Sequence, residues 1–499
     1  MHGSSSSTEG SEEPDQRSAL ERTLGIVTEV RAGEGITALL LALNVFVLLT
    51  AYYVIKPVRE GLVLAMKSGA EYKSYLSAAV ALALLFAVPA YARVASRLSK
   101  NKLVVGVTLF FASHLVLFWG LSKIPSLETK LGLVFFVWVG VFNMMVVAQF
   151  WAFANDLYTQ EQGKRLFPLI GIGASLGAAL GAYVTNFLKV TIGLGVYELL
   201  LVSSGLLACC AALTQAAHRR ERRGRSLALV GAKHASSRQV VRPDEKAASS
   251  EGGKGAFALV FGHKYLTLIA VFSLVFTLVN TNGEYILSVL VKEQAKQLAA
   301  AAGIVGDEAV RKFTKSYGTS FYGEFFLWVN VIGVALQSFA VSRIVKRGGL
   351  RVAFLILPMI SLLDALALIA LPAALAVAEL SVLRPGKIAE NSFDYSLNNT
   401  VRNMLWLPTS TEMKYKAKQA VDTFFVRMGD VASAILVFVG ADLLSWPVRN
   451  FAIVNVGLIT CWLLLARSIL RENATLTQRA VATDVPAPAQ TEPPEAESA

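Results

Sequence analysis

Cysteine, histidine and charge are all scarce in this chain. It has three cysteines and five histidines in 499 residues. Cys209, Cys210 and Cys461 sit inside apolar runs without metal-ligand spacing, so vicinal Cys209 and Cys210 read as packing residues rather than a redox pair. His114 stands alone in an apolar run and also reads as packing. Charged residues make up only 16% of the chain and hydrophobic ones 54%, against about 25% charge in soluble proteins. That deficit excludes an ordinary soluble domain and places the chain among polytopic membrane proteins. The sequence contains no phosphate-cradling loop, nucleophile elbow or zinc signature, so neither an enzyme nor a metal or cofactor is expected. The acidic N-terminus has no signal-peptide pattern.

Twelve apolar runs are long enough to span a bilayer: 36–55, 74–92, 103–121, 131–155, 167–188, 193–215, 266–290, 321–342, 352–371, 375–400, 419–441 and 448–468. The tenth is the least apolar. An all-α bundle follows, with a polar N-terminus (1–35), a six-helix half (36–216), a basic linker (217–258), a second six-helix half (259–470) and a tail (471–499). N-terminus and tail are expected to be disordered. The net charge of +12 lies between the apolar runs, which reports topology rather than nucleic-acid binding. Every even-numbered loop is basic, as in Arg93, Arg97, Lys100 and Lys102 after the second run. Both termini are therefore expected to be cytoplasmic. The loop after the seventh run dissents, with Lys292, Lys296, Arg311, Lys312 and Lys315. The halves echo each other: ASRLSKNKLVV closes the second run and VSRIVKRGGLRV the eighth. Two parallel six-helix repeats are the major facilitator architecture.

Polar residues inside the runs are the candidate site, because a charge at mid-bilayer is costly unless it faces a partner or water. In the tenth run Arg384, Lys387, Glu390, Asp394, Asn398 and Arg402 recur every three or four residues and make one helix face. That face is either a cavity wall or an internal ion-pair ladder. Glu284 lies in the seventh run, and Lys56 and Arg59 leave the first. The two basic residues either bind an anion near the outer mouth or snorkel at the interface. Asp156 ends the fourth run, as a gate or as a partner of Lys164 or Arg165. Gly173, Gly177 and Gly181, four apart, predict a face where two helix backbones approach closely.

The segments YYVIKPVREGLVLAMKSGAE, FWAFANDLYTQEQGKRLFPLIGIGASLGA and DYSLNNTVRNMLWLPTSTEMKYKAKQAVD resemble the nucleotide (ATP/ADP) translocases of intracellular bacteria and plastids, in order over about 40–470. The resemblance implies a twelve-helix, major facilitator-like carrier that exchanges nucleotides (ATP/ADP) across the bacterial cytoplasmic membrane; the lipid bilayer is a further expected partner. It places the family's acidic residues on Asp156 and Glu284 and its loop lysines on Lys416 and Lys418. Two intramembrane lysines of the family fall near Ser77 and Asp430 here. The alternatives are a carrier of the same fold for another solute, such as a proton-coupled organic anion or a lipid, and a membrane scaffold or sensor.

Overall fold

The computed structural model describes residues 18–25, 28–158, 160–232, 255–375, 378–410 and 413–484. Among these residues there is no strand; the chain folds as long helices that run back and forth. The first half comprises α1 (Gly35–Leu64), α2 (Gly69–Ala95), α3 (Lys100–Leu121), α4 (Pro125–Leu157), α5 (Gln160–Asn186) and α6 (Glu198–Ala232). The second comprises α7 (Lys264–Ala301), α8 (Asp307–Ala335), α9 (Val341–Leu375), α10 (Glu379–Phe393), α11 (Val426–Val437) and α12 (Val448–Asp484). Wider π-helical turns extend α8 over Leu336–Ala340 and α10 over Asp394–Asn398.

By length and composition, ten of the described helical stretches can cross a membrane. One of these, Asp307–Ala370, contains two rods. Gly349, with φ 63° and ψ −173°, breaks the helix there, a backbone that suits glycine. The tenth rod carries too many charges to be one of the ten, yet it is helical through Phe393 and on to Met404. The twelve expected spans are thus all present as helices.

The packing repeats with a period of six helices. In the first half α1 packs on α5 and α6, α3 on α6, and α2 on α4. In the second, α7 packs on α11 and α12, α9 on α12, and α8 on α10. Between the halves α8 packs on α1 and α5, and α2 packs on α7 and α11, which is the same pattern again. The small-residue face of α5 lies on α1: a Cβ added at Gly173 would come 2.5 Å from the Ala42 carbonyl oxygen. Added at Gly177 or Gly181, it would overlap the carbonyls of Phe46 and Thr50, one and two turns further along α1. The glycine seam therefore faces protein, inside the first half.

Helix alternation puts both described ends of the bundle on one face, here called the terminal face. The opposite, far face is closed by contacts between halves. Gly61 of α1 abuts α8, where a Cβ would lie 2.7 Å from the Lys315 carbonyl oxygen. Glu128 in the first turn of α4 accepts from Lys315 Nζ at 2.6 Å and pairs with Arg311 at 3.3 Å. Toward the terminal face the halves separate around a cavity of about 630 Å³.

Several segments differ from expectation. The basic loop after α7 is only 302–306; Lys292 and Lys296 are on α7, and Arg311, Lys312 and Lys315 are on α8. Its positive charge therefore belongs to helices that continue past the apolar runs. Residues 217–232 prolong α6 and 471–484 prolong α12 instead of forming linker and tail. Residues 19–24 form a helical turn capped by Ser18 in a capping box with Glu21, which also accepts from the backbone of Gly33 at 2.7 Å. The disorder expected for 1–17 and 485–499, and the linker at 233–254, lie outside the described residues.

Candidate functional site

A cavity of about 240 Å³ sits where the two halves meet, near the middle of the helices. It is small beside the roughly 300–1,000 Å³ of typical ligand pockets. Three cations of the first half face it, Lys56 and Arg59 from α1 and Lys73 from α2. Glu284 of α7, Tyr395 after α10, and Arg427 and Asp430 of α11 face it from the second.

Most of these charges are linked in a chain that alternates in sign. Arg59 pairs with its neighbour Glu60. Glu60 also holds Lys73 at 3.0 Å, and Lys73 reaches Glu284 of the other half at 3.2 Å. Lys387 continues the chain, 3.8 Å from Glu284 and 3.1 Å from Glu390. Asn391 donates to Glu284 at 3.3 Å, and Ser288 accepts from Lys73 at 3.1 Å. A pair in such a place is held by mutual attraction against a large desolvation cost, so removing one member strands the other.

Lys56 differs from the rest. It is only 8% exposed, yet among the described residues it makes no ion pair. Its Nζ lies 3.8 Å from the Phe326 ring centre and 5.2 Å from that of Tyr53, and 3.4 Å from the Tyr395 hydroxyl. Aromatic faces stabilise a desolvated cation without neutralising it. Lys56 thus directs at the cavity an amino group without a carboxylate partner among the described residues.

The second, larger cavity adjoins this one. Tyr395 lines both. Asn330 and Gln337 of the eighth rod and Asn399 of the tenth supply amides to it, and among the described residues its lining carries no charged side chain. The π-helical turn at Asp394–Asn398 shifts the helix register here, a feature often found at functional sites.

The sequence-predicted residues distribute as follows. Lys56, Arg59, Glu284, Lys387 and Glu390 come together at the centre. Lys56 and Arg59 are therefore not interfacial: α1 continues as helix to Leu64, with Lys56 buried and Arg59 partly buried. The polar face of the tenth rod divides along its length. Arg384 pairs with Glu324 at 2.8 Å toward the far face, and Arg402 pairs with Asp422 at 3.4 Å toward the terminal face. Asp394 accepts from Asn398 at 2.7 Å. A ladder describes the two ends of this face and a cavity wall its middle. Asp156 and Lys416 are exposed near the terminal face, away from the central cavity. Lys418 donates to Asn403 at 2.8 Å on the same face. Arg165 is held by Glu34, whose two oxygens it contacts at 2.9 and 3.0 Å.

Sequence reasoning missed Glu60, Lys73, Arg427 and Tyr395. Lys73 lies one turn before Ser77, where a lysine of the family falls, and Arg427 lies three residues before Asp430. Both restore a cation to the neighbourhood. Only the structure shows why Lys73 was missed: α2 begins at Gly69, five residues before the apolar run does.

Two repeats of six helices enclosing a charged site between them define a secondary membrane transporter of the major facilitator-like fold. The chain belongs to the TLC ATP/ADP transporter family, whose model matches residues 133–473. It is similar to ADP,ATP carrier protein 1 of Chlamydia pneumoniae, 23% identical over 70% of this chain and 68% of that protein. It is also similar to ADP,ATP carrier protein 4 of Rickettsia felis, 23% identical over 66% and 65%. Among solved structures, the nucleoside transporter NupG superposes with a TM-score of 0.54 at 12% identity, covering 87% of this chain and 98% of that one. A POT family transporter in complex with 5-aminolevulinic acid gives 0.55 at 11%, covering 88% and 96%. At these identities the structural likeness speaks for the fold.

Proposed function

We propose that this protein exchanges ATP and ADP across a bacterial cytoplasmic membrane, with both termini in the cytoplasm. The observation that carries this reading is Lys56, a buried lysine without an ion-pair partner among the described residues, on the wall of the charged cavity and beside Tyr395, which also lines the uncharged polar one. A nucleotide is itself divided in this way. Its phosphates suit Lys56, Arg59 and Lys73, which can turn from their carboxylates toward an anion. Its base and ribose suit the amides of Asn330, Gln337 and Asn399, with Tyr395 as a stacking surface between the two parts. Glu60, Glu284 and Glu390 then hold the cations in place when the site is empty.

In this reading residues 36–216 and 259–470 rock as two units about the central charges. The closed far face and separated terminal face make the observed conformer inward-facing. The ADP,ATP carrier names of the bacterial relatives support the choice of substrate. The test is uptake of labelled ATP by proteoliposomes loaded with ADP. Saturable uptake that requires internal nucleotide and falls at least about tenfold in Lys56→Ala supports the proposal. Uptake of neither ATP nor ADP sinks it.

A further inference from the structure

Behind the central cavity, the second half holds a chamber of about 20 Å³, room for one water molecule. Helices α7, α9, α10 and α12 enclose it. Asp364 of α9 lines it and is 8% exposed. Among the described residues Asp364 makes neither an ion pair nor a hydrogen bond. Its carboxylate is seated on the backbone of α10 at Gly386, where any Cβ would overlap it. Ser361, nearly one turn earlier on α9, is 4% exposed and lines the same chamber, and its hydroxyl has no partner. The charged groups on the other walls are Lys387 and Glu390 of α10. Glu284 of α7 meets Lys387 from the side of the central cavity, and α12 contributes only the neutral Asn455.

We propose that Asp364 is a proton-binding site that couples proton movement to transport. A carboxylate enclosed in this way, without a cation or a donor, is completed by a proton or by Lys387. Lys387 is already shared between Glu284 and Glu390. An anion that draws Lys73 away from Glu284 leaves Glu284 to pull harder on Lys387. Asp364 then loses the influence of that ammonium and takes a proton from hydronium of the bulk solution: one O–H bond of hydronium breaks, one forms on the Asp364 Oδ, and a neutral water is left. Ser361 and a water in the chamber supply the hydrogen bonds that the neutral acid needs. Linkage is reciprocal, so a proton on Asp364 favours anion binding by the same factor that the anion favours protonation. The inference rests on the anion-carrier reading above for its coupling step, but not for the proton site itself.

Two measurements on the full-length protein in liposomes separate these claims. The first is an infrared titration of the carboxyl C=O band without nucleotide. We expect a protonated carboxyl that titrates in the wild type, disappears in Asp364→Asn and has a shifted midpoint in Ser361→Ala. A band unchanged in both variants overturns the proton site. The second is ATP uptake into ADP-loaded liposomes with and without an imposed pH gradient. One linked proton changes apparent ATP affinity by up to about tenfold per pH unit. Wild-type uptake should rise severalfold with acid outside, and Asp364→Asn should exchange without responding. Equal responses, or none in the wild type, overturn the coupling. If the wild type exchanges no nucleotide, the substrate assignment fails, while the infrared result still decides the proton site.

Discussion

Lys73 Nζ lies 3.2 Å from Glu284 Oε2, and this pair joins the two halves of the bundle at the level of the central cavity. Lys73 is also held by Glu60 of its own half at 3.0 Å. The same ammonium therefore fixes the relation between halves and faces the space where substrate is proposed to bind. An anion that competes for Lys73 loosens the tie, which is a direct physical link between binding and rocking.

Lys73→Met should accordingly disable the carrier. It leaves Glu60 and Glu284 as buried acids deprived of their shared cation, a loss of about 3–5 kcal/mol for a buried pair. Exchange should fall by more than about tenfold and the melting temperature should drop. Exchanging the charges, Lys73→Glu with Glu284→Lys, should recover only part of the lost stability, because Glu60 then faces a like charge. A Lys73→Met carrier with wild-type uptake and melting would show that the chain of charges is dispensable.

Gly177→Leu tests the helix seam. A Cβ at Gly177 already overlaps the Phe46 carbonyl, so α5 must move away from α1. Gly106→Leu is the control, since a Cβ there meets nothing within 4 Å. The expected result is poor folding or low yield for the first and normal behaviour for the second, read by size-exclusion profile and melting.

The sequence foretold the helix seam and the number of rods for a simple reason: both depend on side-chain size and polarity at regular spacing. Gly173, Gly177 and Gly181 mark a close approach whichever helix they meet, although spacing alone does not name α1 as the partner. The candidate site was legible only in part. Lys387 and Glu390 stood out because they break an apolar run. Glu60 and Lys73 did not, because they lie just beyond the ends of their runs, on helices that continue. Apolar runs measure the contact with lipid; α1 and α2 are longer than that contact, and their polar ends turn into the bundle. Asp364 is a charge in an apolar run that went unremarked. What sets it apart, the absence of a partner, is a property of four helices together.

Topology is tested by cysteine labelling. Val305, 88% exposed, sits in the turn between α7 and α8 on the far face, and Leu98, 45% exposed, follows α2 on the terminal face. With Cys209, Cys210 and Cys461 replaced, an impermeant maleimide applied to intact cells should label Val305→Cys and spare Leu98→Cys. Labelling of Leu98→Cys alone would reverse the proposed orientation, and with it the reading of the conformer as inward-facing.

The closed far face should open with acid. Burial opposes charge on Glu128, but its hydrogen bond from Lys315 and the positive charge of Lys315 and Arg311 hold the carboxyl below the usual range. A carboxyl whose value is depressed in the closed state stabilises that state fully at pH above its ordinary value, about 4.3. The contribution is lost as pH falls through the depressed value. Near neutral pH the gate pair is therefore at full strength, and Glu128→Gln should mimic acid. Spin labels at Lys123→Cys of the first half and Val305→Cys of the second report the separation on this face by pulsed electron resonance. In the wild type a longer distance should gain population at acid pH. In Glu128→Gln it should already be populated near neutral pH and change little on acidification. A Glu128→Gln variant that stays closed near neutral pH would show that the apposition of α1 on α8 at Gly61 holds the face shut without the ion pairs.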